Sequence, residues 1–350
     1  MGSQPGKGFQ EGLRYALGRP AVRGRIKLVP EDFFVSEQLS FEPEGSGQHL
    51  LLRVRKRAAN TEWVARRLAD LAGISTRDVG FAGLKDRHSV SEQWFSLDLP
   101  QGAPVPDFGP CLDEFQVIAV TRHSRKLKRG GLKTNHFKIR VKELQGDGDE
   151  VRHRLQSVRA AGVPNYFGPQ RFGVDEGNLR LAHAMLVEGE RIKHRARRAF
   201  AYSAARAFLF NLVLSRRIEE ESWDHLLPGD VANLDGTRST FTVGEPDAEL
   251  QARAGQMDIH PTGPLWGAGK SQAEGQVLGL ERAECGAHPF ALGLEKSKLS
   301  PARRSLRLHV RELDWSLEPG VLTLSFRLTA GGYATSVLRE ILRVETITRS

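Results

Sequence analysis

The chain has 350 residues, room for two domains and at least one sizeable core. It carries 51 Lys and Arg against 42 Asp and Glu, a net charge of +9, which suits a polyanionic partner such as nucleic acid or an anionic membrane. Only Cys111 and Cys285 are present, which excludes a disulfide framework and a Cys-based zinc site of ordinary spacing and points to a reducing compartment.

Residues 1–9 are polar and glycine-rich with no apolar segment, and no run reaches the length of a membrane span, so a cytoplasmic location is expected. Gly24 to Val29 reads as a strand stopped by Pro30, and residues 31–37 mix polar and apolar side chains. Gln48 to Arg55 reads as a strand with Leu50 and Leu52 on one face and Leu51, Arg53 and Arg55 on the other. Asn60 is an N-cap residue type for a helix through Ala72, with Val64, Leu68 and Leu71 on one stripe and Gly73 as the stop. Ser75 and Asp78 resemble a capping box for one short turn.

The next stretch, Gly80 to Phe95, opens as a glycine-rich turn and passes through one carboxylate, Asp86, between Lys85 and Arg87. From Gln93 to Leu99 the pattern alternates, with Phe95, Leu97 and Leu99 on one side and Trp94, Ser96 and Asp98 on the other. Asp86 therefore belongs to a loop directly ahead of a half-buried strand, a sound way to fix a reactive group.

Residues 100–110 are rich in Pro and Gly and read as a surface loop, and Phe115 to Val120 as a strand. Arg122 to Lys142 contains nine Lys or Arg and no acidic residue. Within it Phe137, Ile139 and Val141 alternate with His136, Lys138, Arg140 and Lys142, a strand with an apolar inner and a cationic outer face. The basic loop before it, Arg125 to Gly131, lacks any compensating acid, which argues for phosphate contact. Asp149 to Ala160 reads as a polar helix. Val163 to Gly173 is a turn-rich aromatic segment whose composition suits a packed inter-domain hinge. Helices are expected over Asn178–Glu188 and Phe200–Glu220, and Arg191 to Arg198 between them holds five Arg or Lys in eight residues, a second candidate for phosphate contact. Residues 222–300 suit a small mixed subdomain. Ser305–Leu313 and Val321–Leu328 read as strands, the second with Leu322, Leu324, Phe326 and Leu328 on one face, followed by a helix over Ala334–Leu342.

Gly263 to Ser271 imitates a phosphate-binding loop but fails on spacing, because the glycine required five residues before Gly269 is Pro264. The eleven histidines form no short metal motif, and nothing resembles a nucleophile elbow. Asp86 on its own could be a turn carboxylate paired with Lys85 or Arg87. Cationic segments and aromatics around it suit instead an enzyme that extrudes a base from RNA, with the aspartate as nucleophile or base.

Several of these stretches together resemble one family, the TruD tRNA pseudouridine(13) synthases. They are Gly80 to His88, Arg122 to Leu127, Val163 to Gly173 and Gly332 to Glu340, joined by Pro30 to Phe33, Ser203 to Arg206 and His260 to Gly267. The resemblance spans about residues 25–343. It implies an α+β fold: a pseudouridine synthase catalytic domain with a mixed, mainly antiparallel sheet flanked by helices, interrupted by a family-specific inserted α/β domain. The catalytic domain would comprise 1–160 and 306–350, and the inserted TRUD domain 161–305. The implied activity isomerises uridine at position 13 of tRNA without a cofactor or metal. Asp86 would be the catalytic residue and Lys27 the cation beside it. Phe33, Asn135 and Tyr333 would contact the substrate, with Tyr333 standing where the family usually has phenylalanine. The implied partner is tRNA, with no membrane and no obligate protein partner. The competing reading is a non-catalytic RNA-binding protein or RNA chaperone on the same fold.

Overall fold

The computed structural model describes residues 12–109, 114–128 and 130–345. Cys111 and Arg129 lie outside them. The chain opens with β1 (Arg23–Arg25), β2 (Phe33–Leu39), β3 (His49–Arg57) and α1 (Thr61–Ala72). There follow β4 (Val79–Phe81), β5 (Val90–Asp98), β6 (Phe115–His123), β7 (Leu132–Gln145) and α2 (Gly148–Ala161). The middle of the chain forms β8 (Val163–Pro164), α3 (Gly177–Leu186), α4 (Arg195–Glu219), β9 (Val231–Leu234), β10 (Thr240–Thr242), α5 (Ala248–Gly255) and β11 (Ile259–Leu265). Then come α6 (Gly275–Glu281), α7 (Pro289–Glu295), β12 (Ala302–Ser305) and β13 (Arg307–Leu308), and finally β14 (Arg311–Glu318), β15 (Val321–Thr329), α8 (Ala334–Ile341) and β16 (Arg343–Glu345).

These elements form two compact units. The sheet unit takes the described residues of 21–151, 310–331 and 342–350, and the helical unit those of 1–20, 152–309 and 332–341. The partition differs from the boundaries expected above, because residues 12–20 and α8 pack with the middle of the chain. Leu13 enters the same core as Tyr166, and the Arg339 guanidinium donates to Leu13 O and Arg14 O.

The sheet unit is built on one ten-stranded sheet whose main path runs β14-β15-β7-β2-β5-β3-β6, with β4 on β5 and β1 bridging β7 and β16. All pairings are antiparallel except β2 with β5 and β1 with β16, so the sheet is mixed and largely antiparallel, as the family resemblance implies. Period-two burial explains β15, where Leu322, Leu324, Phe326 and Leu328 are fully buried. The inner face of β7 packs beside it, with the rings of Phe137 and Phe326 stacked 5.5 Å apart. Helix α1 is capped as the sequence predicts, since Asn60 accepts from Glu62 N at 2.8 Å and Gly73 adopts φ 65°. Its buried arc runs through Val64, Ala65, Leu68 and Ala69, which leaves Leu71 at the margin and exposed.

Three expectations for the strands change. First, β5 and residues 49–52 of β3 are buried on both faces, not one. Leu50, Leu52 and Phe95 pack under α1, while Leu51 packs on the opposite side with Leu39, Leu127 and Leu132. Packing covers both sides of the sheet here, whereas Arg55 and Arg57 at the end of β3 stay exposed. Second, the strand expected over Gly24–Val29 ends at Arg25, because Lys27 turns to φ 59°. The strand expected over Ser305–Leu313 is broken into β12, β13 and the start of β14.

The helical unit gathers around α4, which starts at Arg195, earlier than the pattern predicts, and buries Phe208, Leu209, Phe210 and Leu214. Tyr166, Phe167 and Phe172 of the turn-rich segment are buried in the same core, not exposed. Asn211 holds that segment by accepting from Phe167 N and donating to Phe167 O, each at 2.9 Å. A four-stranded sheet, β10-β9-β11-β12, completes the unit, and the sequence resembling a phosphate-binding loop begins inside β11. Among the described residues no helix is long and apolar enough to cross a membrane.

Gly80 shows why the stretch ahead of Asp86 needs glycine. A Cβ at Gly80 would lie 2.4 Å from Leu127 O and 2.5 Å from Ser96 Oγ, whereas Gly83 has nothing within 4 Å. The first glycine thus lets β4 approach the 126–127 backbone, where Leu127 N donates to Ser96 Oγ at 2.9 Å. Gly80→Ala is expected to destabilise the protein by about 1–3 kcal/mol through this overpacking, and Gly83→Ala by much less, as read by urea denaturation of the two variants.

Candidate active site

Asp86 lies in the loop between β4 and β5, and that loop is tied down from three sides. Buried Gln93 of β5 donates from Nε2 to Gly83 O at 2.6 Å. Buried Thr61, the first residue of α1, donates to Gln93 Oε1 at 3.0 Å and accepts from Lys85 N at 3.1 Å. Ser89 Oγ donates to Asp86 O at 2.7 Å. The loop's own backbone also serves the carboxylate, since His88 N donates to Asp86 Oδ1 at 3.0 Å. A strand end, a helix start and a turn therefore fix one side chain that remains 32% exposed.

Asp86 Oδ2 pairs with Lys27 Nζ, and that ammonium lies 4.4 Å from the centre of the Phe33 ring. The left-handed backbone at Lys27 is uncommon for a residue with a side chain and is held in place by these contacts. Burial pushes the Asp86 carboxyl up, but the Lys27 hydrogen bond and charge, with the His88 N–H, outweigh it and leave the pKa below the usual aspartate value. Asp86 is consequently a carboxylate at neutral pH, partly desolvated yet ionised.

The sheet register places more polar groups on the same face. Phe33, Val35 and Glu37 of β2 lie opposite Ile139, Phe137 and Asn135 of β7. Phe33 is buried and meets Phe137 edge-on at 6.1 Å. The Asn135 side chain is buried, and its Oδ1 has no hydrogen-bond partner among the described residues. Lys85 turns away from Asp86 to an ion pair with fully buried Glu37, Nζ to Oε1 2.5 Å. Burial pushes the Glu37 carboxyl up, against the pull of Lys85 and of Trp94 N, which donates to its Oε2. Lys56 of β3, also buried, donates to Ala59 O at 2.7 Å. Burial, reinforced by the charge of Lys85, brings its pKa down to about 8, with Asp86 and Glu37 opposing.

The structure thus brings Lys27, Phe33 and Asp86 into direct contact and sets Asn135 on the same sheet face. Tyr333 belongs to the helical unit. Its hydroxyl accepts from Arg171 Nη2 at 2.7 Å, and its ring lies 6.4 Å from that of Phe167. Glu37, Lys56, Thr61 and Gln93 escape the sequence reading. One signal was available: Glu37 and Lys56 fall at inward positions of alternating strands, Phe33-Val35-Glu37-Leu39 and Leu52-Val54-Lys56. A charge in such a register is either paired or functional.

The basic run divides by environment. Arg122 donates to Gly47 O, Leu99 O, Pro100 O and Ala103 O and so braces the 99–103 loop. Lys126 donates to Arg77 O, and Lys142 pairs with buried Asp32 at 2.7 Å. Arg125, Lys128, Lys133, Lys138 and Arg140 are exposed. Among the described residues no group of three His, Cys, Asp or Glu is placed to hold a metal ion.

Two outcomes follow from the electrostatics. Lys27→Met removes the main attraction and leaves the burial penalty, so the Asp86 pKa should rise, as read by carboxyl-carbon NMR titration; an unmoved pKa would contradict the pairing. Lys56 has a lowered folded pKa, so the unfolded chain binds more protons between pH 8 and 10.5, and stability from this group rises with pH across that window. Lys56→Met should flatten that rise, by on the order of 1–3 kcal/mol in urea denaturation at the two ends.

The chain is similar to known proteins along nearly its whole length. The model of the family described as tRNA pseudouridine synthase D (TruD) matches residues 11–197 and 190–341. The tRNA pseudouridine synthase D of Nitrosococcus oceani is 45% identical over 341 residues, covering 96% of this chain and 95% of its own length. That of Methylococcus capsulatus is 44% identical over 343 residues, covering 97% and 96%. A crystal structure described as a putative tRNA pseudouridine synthase D from Methanosarcina mazei superposes with a TM-score of 0.73 at 21% identity, over 97% of this chain and 98% of its own, a likeness of fold. With a family model covering nearly the whole chain and relatives this similar end to end, the chain belongs to the TruD family of tRNA pseudouridine synthases, which are isomerases.

Proposed function

We propose that the protein converts uridine to pseudouridine at position 13 of tRNA, with Asp86 as the catalytic carboxylate acting on a uridine flipped out of the RNA. The observation that carries this reading is the Lys27–Asp86 pair: a partly exposed carboxylate held ionised on a loop pinned by β5 and α1.

The reaction breaks the N1–C1′ bond, turns the uracil and forms C5–C1′, while C5 loses a proton and N1 gains one. Atoms and electrons balance within the nucleotide, so the chemistry requires no redox partner. Attack of Asp86 on C1′, attack on uracil C6 and abstraction of a proton all require the carboxylate form, which Lys27 supports. Phe33, set by Phe137 and Lys27, bounds the pocket. Asn135 Oδ1 offers an acceptor to the polar edge of the base. Tyr333 supplies a ring on which the uracil stacks, worth about 1–3 kcal/mol. Arg171 occupies the hydroxyl that distinguishes Tyr333 from the family's usual phenylalanine. The exposed cations of the 125–140 stretch contact phosphates.

The test is incubation of an unmodified tRNA transcript with native and Asp86→Asn protein, followed by nucleoside analysis at position 13. Native protein should form pseudouridine there and Asp86→Asn essentially none, with tRNA binding retained within a few-fold. Pseudouridine from Asp86→Asn at the native rate would exclude the aspartate mechanism. Tight tRNA binding by the native chain with no modified nucleoside would favour the RNA-binding reading over the enzyme.

A further inference from the structure

The second basic segment of the sequence, Arg191 to Arg198, leads into a cavity of the helical unit with a volume of about 560 Å³. That volume suits one nucleotide. One wall is a single face of α4: Arg195, Arg198, Tyr202 or Ser203, and Arg206 recur every three or four residues. Arg171 and Arg304 close it from other segments, with Phe167, Leu265 and Leu299 as apolar surface. Among the described residues, five arginines line this cavity and no carboxylate does.

Neutral groups orient Arg171, Arg198 and Arg206. Arg171 donates to Ser203 Oγ at 3.0 Å and to the Tyr333 hydroxyl, while its own Nε is buried and unbonded. Arg206 donates to Trp266 O and Ser300 O. Arg198 donates to Ile192 O and Lys193 O at 2.9 and 2.8 Å. Arg304 lies 4.3 Å over the Phe167 ring and bonds Asn165. Burial lowers the pKa of Arg206 and brings that of Arg304 down to about 10. Gathering partly desolvated cations along one cavity wall carries an electrostatic cost, which an anion bound between them would relieve. Arginine forks match phosphate geometry, and the aromatic and aliphatic wall suits the face of a base.

We infer that this cavity is a second nucleotide subsite, binding the phosphodiester of one single-stranded tRNA nucleotide through Arg195, Arg198 and Arg206 with its base against Tyr202, Leu265 and Leu299. The inference rests on the tRNA reading above and deepens it by assigning to α4 a role in gripping the substrate. Arg171 links the cavity to the Tyr333 hydroxyl, while the reacting carboxylate is assigned to the Asp86 loop.

Two variants of the full chain test it, with an unmodified tRNA transcript and a short oligouridylate as probes. Arg195→Ala with Arg198→Ala removes two phosphate contacts at the cavity rim. Affinity for both probes should fall at least 10-fold near 0.1 M salt, and the slope of log K against log salt should drop by roughly 1.4. Ser203→Asp places a carboxylate beside Arg171. It should hold or raise the melting temperature while weakening both probes at least 10-fold, a pairing of signs that mere structural damage does not give. Native affinity and native salt slope in either variant would overturn the proposal. So would a loss of pseudouridine formation at saturating tRNA with binding unchanged. Asp86→Asn serves as the reference: native binding with no product separates a failure of the isomerase reading from a failure of the subsite.

Discussion

The ion pair between Lys27 and Asp86 sets the condition that the rest of the sheet unit serves. A carboxylate with limited exposure tends to take up a proton, and only a cation placed against it keeps it charged. Lys27 is that cation, and it reaches Asp86 from a backbone conformation that ends β1 early. The Phe33 ring beneath its ammonium and the Thr61 and Gln93 bonds to the opposite loop hold the two partners in register.

Lys85 would be a rival for Asp86, being next to it in the chain. Glu37 removes that rivalry by taking Lys85 into a buried pair on the sheet face. Breaking such a pair would strand a charge among apolar groups, so the arrangement also steers each cation to one carboxylate. Lys56 adds a fully buried ammonium whose lowered pKa reflects how little water reaches this face. Alternate polar and apolar registers on β2, β3 and β5 thus create a polar floor below the loop, flanked by the aromatic contact of Phe33 with Phe137.

The helical unit obeys a different rule. Its interior ion pairs are closed, as in Arg217 with Asp230 and Arg303 with Glu281, and these lock loops to helices. In its α4 cavity, by contrast, Arg171 and Arg206 are held by hydroxyls and backbone carbonyls. The contrast within one unit separates charge used for folding from charge left for a ligand.

Much of this was legible in the chain itself. Local rules determined α1, through Asn60 and Gly73, the alternating faces of β7 and β15, the length of α8 to within a residue, and the position of Asp86 ahead of a strand. The motifs carried the family. Tertiary structure decided what periodicity cannot express. It brought Lys27 to Asp86 across 59 residues, turned Lys85 toward Glu37, buried both faces of β5 and of the first half of β3, and gave Gly80 a packing role against Leu127. Each of those outcomes depends on which strands become neighbours. Sheet order is set by contacts distant in sequence, whereas capping and alternation act within a few residues.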